Sequence, residues 1–147
     1  MYTHILIPTD GSELAEKAVE AGIELARLTR ARVTAFIAVP EYQVPSEGEI
    51  VSRTAVSFDE HERRSKEKAD AVLERIEARA RAAGVDCDTD FALSDRPYEA
   101  IIEAARKHGC DLIFMASHGR RGLSALVHGS ETQGVLTHSS IPTMVYR

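Results

Sequence analysis

Ile5-Leu6-Ile7-Pro8-Thr9-Asp10-Gly11-Ser12 passes from a strand to a helix without a break. The apolar run has no polar alternation, which marks a strand buried on both faces, as in a parallel sheet. Pro8 ends it and a polar turn follows. A helical pattern then occupies residues 12–29, with Leu14, Ala15, Ala18, Val19, Gly22, Leu25 and Ala26 on one face. Ser12 is the expected N-cap, and Glu13 and Glu16 stand in the first turn, where the helix dipole favours acids. The same unit recurs along the chain. Residues 33–39 and 112–116 are further apolar runs, and 87–93 and 141–146 are weaker strands with fewer apolar residues. Between them residues 57–83 carry Ala69, Val72, Leu73, Ile76, Ala80 and Ala83 at helical spacing, with charged residues opposite. Residues 96–108 form a third helix, capped by Ser94 or Asp95 and opened by Pro97. A fourth starts at Ser130, where Ser130 and Gln133 have capping-box spacing. Strands alternating with helices predict an α/β fold, a parallel sheet with helices on both faces. Residues 40–57 interrupt the pattern with Pro40, Pro45 and Gly48 and read as a long loop.

Composition bounds what such a fold does. A chain of 147 residues is the size of one domain, 1–147, able to bury about 70% of its unfolded surface. Lys and Arg total 18 against 23 Asp and Glu, a net charge of −5, which argues against binding to nucleic acid. No run is long and apolar enough to suggest a membrane span, and residues 1–4 lack the features of a secretory leader, so the expected location is the cytoplasm. Two cysteines, Cys87 and Cys110, are too few for a disulfide framework or a four-thiolate zinc site.

In open α/β sheets ligands bind beyond the carboxyl ends of the strands, where strand order reverses. Two strand-to-helix connections therefore matter most. Asp10, at the tip of the first strand, can accept hydrogen bonds from a ribose or an adenine amino group; taken alone it reads better as a cap of the first helix. The fourth strand runs into Ser117-His118-Gly119-Arg120-Arg121-Gly122 and later Gly129-Ser130. Gly119 permits close backbone approach, Arg120 and Arg121 can contact phosphate, and Gly129-Ser130 opens a helix whose free amides favour an anion. Singly these are turn glycines, solvated arginines and a cap; together they point to a nucleotide cradle. A Walker loop and a dinucleotide fingerprint are both missing. His118, His128 and His138 fit no metal pattern, and His61-Glu62 lacks the second histidine of a zinc protease helix. Ser117 and His118, adjacent at a strand end, should point to opposite faces and form no catalytic pair, so no catalytic residue and no protein metal site are assigned. Gly119-Arg120-Arg121-Gly122 matches the GXXG loop of KH modules, but it follows a strand in an acidic protein.

These residues resemble the universal stress protein family. Residues 5–12 look like its first strand and turn. Its ATP-binding members close with G-x2-G-x9-G-[ST], which here reads Ala116-x2-Gly119-x9-Gly129-Ser130; Ile141-Pro142-Thr143-Met144-Val145 is similar to its last strand. The likeness spans essentially the whole chain. It implies an open five-stranded sheet of order 3-2-1-4-5, Rossmann-like and of the adenine nucleotide alpha hydrolase type. It also implies that Pro8, Thr9, Asp10 and the backbone of Val39 surround adenine and ribose. Met115, Ala116 and Gly119 would line the ribose and α-phosphate, and Gly129, Ser130, Glu131 and Thr132 the β- and γ-phosphates. Mg²⁺ or Mn²⁺ would share the phosphate charge. Ala116, where the pattern has glycine, fits a backbone with negative φ, as expected at a strand end. Glu131 would repel phosphate if its carboxylate faced inward. The resemblance further favours a homodimer joined through residues 141–146. The expected function is a cytoplasmic ATP-binding regulator or switch rather than an enzyme. The alternatives are a nucleotide-free interaction dimer of the same fold and a slow ATP hydrolase.

Overall fold

The computed structural model describes residues 1–41, 58–119 and 129–147. Most of the expected loop over 40–57, together with Arg120 and Arg121, therefore lies outside the described residues. Elements follow in the order β1 (His4–Pro8), α1 (Glu13–Thr29), β2 (Arg32–Val39), α2 (Phe58–Ala82), β3 (Cys87–Leu93), α3 (Pro97–Lys107), β4 (Leu112–Ala116), α4 (Ser130–His138) and β5 (Thr143–Tyr146). All five strands pair in parallel, in the order β3-β2-β1-β4-β5. The doubly wound, Rossmann-like α/β sheet is as the sequence predicts.

Alternate residues of each strand feed two cores. Ile5, Ile7, Val33, Ala35, Leu112 and Phe114 meet Ala18, Val19 and Ala26 of α1 and Leu73, Ile76 and Ala80 of α2. Leu6, Phe36, Ile113 and Met115 meet Ile101, Ile102 and Ala105 of α3 and Val135 of α4. The central strands β1 and β4 are buried at every position, hence their unbroken apolar runs. Each fully buried aliphatic side chain contributes about 1.5–3 kcal/mol relative to exposure, so these two layers hold the sheet.

Chain ends of the helices depart in part from expectation. Ser12 caps α1 as expected, its Oγ accepting the Ala15 N–H at 3.3 Å. The cap of α3 by Ser94 or Asp95 does not form. Arg96 occupies that position without a side-chain capping bond, Ser94 Oγ accepts the Arg96 N–H at 3.0 Å, and Asp95 Oδ1 accepts the Glu41 N–H at 3.0 Å. β5 begins at Thr143 rather than 141: Pro142 accepts the Ile113 N–H at 2.9 Å but has no N–H to return.

Cys87 lies in β3 and Cys110 just before β4, with β2 and β1 between them, and both are free thiols. Burial pushes each up to about 11, which leaves them protonated and unreactive at neutral pH.

At the amino end of the sheet His4 is buried, its Nε2 2.8 Å from the Oγ1 of the fully buried Thr34. Burial first, and then the neighbouring Arg32 charge, hold the imidazole below its ordinary value of 6.5. As pH falls through that value the unfolded chain takes up a proton that the folded chain refuses. Stability from this group is therefore complete above about pH 6.5 and drains away below it. The urea midpoint should drop between about pH 7.5 and about pH 5.5, and drop less in His4→Gln. Equal drops in both chains would show that His4 is not the source.

Candidate functional site

β1 pairs with β2 on one side and β4 on the other, so the chain leaves β1 in one direction and returns on the opposite side. The space beyond the carboxyl ends of β1 and β4 is the switch point of the sheet.

On the β1 side the turn is held rigidly. The Thr9 N–H donates to the Phe36 carbonyl at 2.9 Å, and buried Thr9 accepts the Gly11 N–H on Oγ1 at 3.1 Å. Asp10 is exposed, and its Oδ1 accepts the Ser12 N–H at 2.9 Å. Since Ser12 is the cap of α1, Asp10 is not consumed by that role. Its Oδ2 points across the sheet to the β4 connection: a Cβ at Gly119 would overlap that oxygen and lie 3.1 Å from Asp10 Cγ. The two loops singled out in the sequence thus meet.

On the β4 side the connection is tied to α4. The Gly129 N–H donates to the Ser117 carbonyl at 2.8 Å, and the hydroxyl of buried Thr132 donates to the Ala116 carbonyl at 2.9 Å. Among the described residues Arg30 is the sole non-glycine with positive φ, so alanine at 116 carries no backbone strain. The N-cap of α4 is Gly129 (φ −59°, ψ 156°), not Ser130, and no side chain caps it. Ser130 is the first helical residue and the expected capping box with Gln133 is not made, so Ser130→Ala removes no cap. The amides of residues 130–132 have no partner within the helix, and amides so placed suit an anion.

Other expected residues take more limited positions. The Val39 carbonyl accepts the Ser94 N–H at 2.7 Å, toward β3. The Met115 side chain is buried in the core beneath α3 and α4, so only its backbone is left for the role the resemblance implies. The Glu131 carboxylate turns to α3, where Oε2 accepts the Tyr98 N–H at 2.6 Å. Tyr98 was not foreseen: a bond across thirty-three positions leaves no local signal. Ser117 Oγ and His118 Nδ1 approach to 3.1 Å, against the expectation that they diverge. The strand ends at Ala116, so its alternation no longer governs them.

Among the described residues no three His, Cys, Asp or Glu side chains gather as a metal site. No helix of the described residues is long and apolar enough to cross a membrane.

An open parallel sheet with two glycine-lined loops meeting at its switch point defines a class of small-ligand α/β proteins. The comparisons narrow it. The pattern of the Universal stress protein family matches residues 1–147, and the chain belongs to that family. It is 30% identical to universal stress protein MJ0531 of Methanocaldococcus jannaschii over 100% of this chain and 83% of that protein. It is 33% identical to a universal stress protein of Thermus aquaticus, covering 100% of both. The solved structure of protein MJ0577, also from M. jannaschii, superposes with a TM-score of 0.77 at 31% identity, covering 99% of this chain and 95% of that one.

Proposed function

We propose that the crevice between β1 and β4 binds an adenine nucleotide, in the ATP form that the resemblance implies, and that the bound state serves as a stress-response regulator or switch. The observation that carries this reading is the contact of Asp10 with Gly119. Pro8, Thr9, Asp10 and the Val39 backbone would surround adenine and ribose; the Met115 backbone, Ala116 and Gly119 would line ribose and α-phosphate. Arg120 would add a charge-assisted contact. Because the Gly129 amide is already bonded, the terminal phosphates would rest on the amides of Ser130, Glu131 and Thr132. Universal stress proteins of this fold are described in complex with cAMP, with dAMP (Archaeoglobus fulgidus) and with AMP (Arabidopsis thaliana), which supports the same ligand class here. Mg²⁺ or Mn²⁺ would accompany a triphosphate. The cytoplasm is the proposed location, and one domain, 1–147, the proposed unit.

The reading is of a binder rather than an enzyme. Ser117 and His118 form a close pair, which keeps slow hydrolysis as the second reading; steady phosphate release lost in His118→Ala would favour it. A homodimer through β5 belongs to either reading and is argued in the Discussion.

Magnesium ATP at a hundred times its Kd should add about 2.7 kcal/mol, raising the melting temperature by roughly 5–10 °C. No shift at millimolar ATP in protein stripped of nucleotide would refute the proposal.

A further inference from the structure

Glu131 is the second residue of α4, beside the amides offered to phosphate. Its carboxylate is anchored on the neighbouring helix by the 2.6 Å bond from the Tyr98 N–H, one of the α3 amides that lack an intrahelical partner. The Tyr98 ring reinforces the anchor. It lies against Gly134, where a Cβ would stand 2.7 Å from Tyr98 Cδ1. It also stacks on His138 with ring centroids 5.2 Å apart, and His138 Nδ1 donates to the Gly134 carbonyl at 2.9 Å. The α3–α4 contact thus holds the carboxylate in one place instead of letting it swing into solvent.

An acid in the first turn offsets the positive end of the helix dipole, the field that draws phosphate to the same amides. Although the carboxylate turns to α3 rather than into the crevice, its charge still acts on each added phosphate charge, more weakly than an inward-facing one would. We propose that Glu131 is a specificity-determining residue that grades the crevice against phosphate charge. A single-phosphate adenine nucleotide is thereby held more tightly, relative to ATP, than a neutral residue at this position would allow. The inference rests on the crevice reading and names which of its ligands the anchored carboxylate favours.

Calorimetric titration of AMP and of ATP, both without divalent cation, tests it on the wild type, Glu131→Gln and Glu131→Ala. Glutamine keeps the acceptor for the Tyr98 N–H and loses the charge. The ratio of ATP affinity to AMP affinity should rise about two- to fivefold in Glu131→Gln, and the rise should shrink in high salt. Glu131→Ala should show the same rise even where overall binding weakens with loss of the α3 cap. If both nucleotides bind the wild type and the ratio is unchanged in both variants, the inference falls and the crevice reading stands. If neither nucleotide binds the wild type, both fall.

Discussion

Replacing Gly119 with aspartate should abolish nucleotide binding while the far-ultraviolet circular dichroism spectrum stays that of the wild type. Gly119 does not sit in the left-handed region, so the backbone tolerates a side chain there. The obstacle is Asp10: a Cβ at 119 overlaps its Oδ2. That oxygen is the end of an exposed side chain, so it can be displaced without unfolding the chain. The displacement carries away the group proposed to meet the ribose, and the new carboxylate stands where the α-phosphate would lie. Like charges juxtaposed at a binding site cost several kcal/mol, a loss of more than about a hundredfold. Gly119→Ala, which displaces Asp10 without adding charge, should give a partial loss. A folded Gly119→Asp chain that binds ATP as the wild type does would show that the cradle lies elsewhere.

The second large effect concerns assembly. Both β3 and β5 are edge strands of the sheet, yet their chemistry differs. β3 carries Asp88 and Asp90, the first paired with Arg32 and the second with Lys107 at 2.8 Å and His108 at 2.7 Å. Charge of this kind discourages pairing with another chain. β5, reading Thr-Met-Val-Tyr, has no charged residue, and Met144 is 42% exposed. An uncharged edge invites an isologous antiparallel pairing of β5 with its own copy. We propose that dimer, through residues 141–146. Light scattering at micromolar concentration should report twice the 16.1 kDa chain mass. Met144→Asp should return the chain to its single mass, and because the side chain is exposed the monomer should remain folded. A wild type that is monomeric, or a variant that stays dimeric, would rule this edge out.

How much of this was legible before the structure depends on the range of the forces involved. Ile5-Leu6-Ile7 and residues 112–116 announced central strands because burial on both faces leaves no room for polar side chains. β3 and β5 were fainter because an edge strand needs only a partial apolar surface. Asp10 and Gly119 could be marked as candidates from local turn chemistry. That they touch is a consequence of β1 lying beside β4, which the family resemblance implied and composition alone did not. The caps differ from the expected ones for a related reason. Ser130-x-x-Gln133 has the right spacing, but the bond from the Gly129 amide to Ser117 anchors Gly129 to the end of β4 and makes it the last residue outside the helix. Likewise the amide of Tyr98 is satisfied from α4, not by Ser94 or Asp95 nearby. The worry that Glu131 faces the phosphates could be stated from sequence; its anchor on α3 could not.

Occupancy of the β1–β4 crevice by an adenine nucleotide is tested most directly by mass spectrometry of whatever is released on denaturing protein purified without added ligand, followed by titration of the stripped chain with ATP. An adenine nucleotide should be released, or failing that, the stripped wild type should bind ATP and Gly119→Asp should not. Release of no nucleotide, together with no binding by the stripped, folded wild type at millimolar ATP, would contradict it.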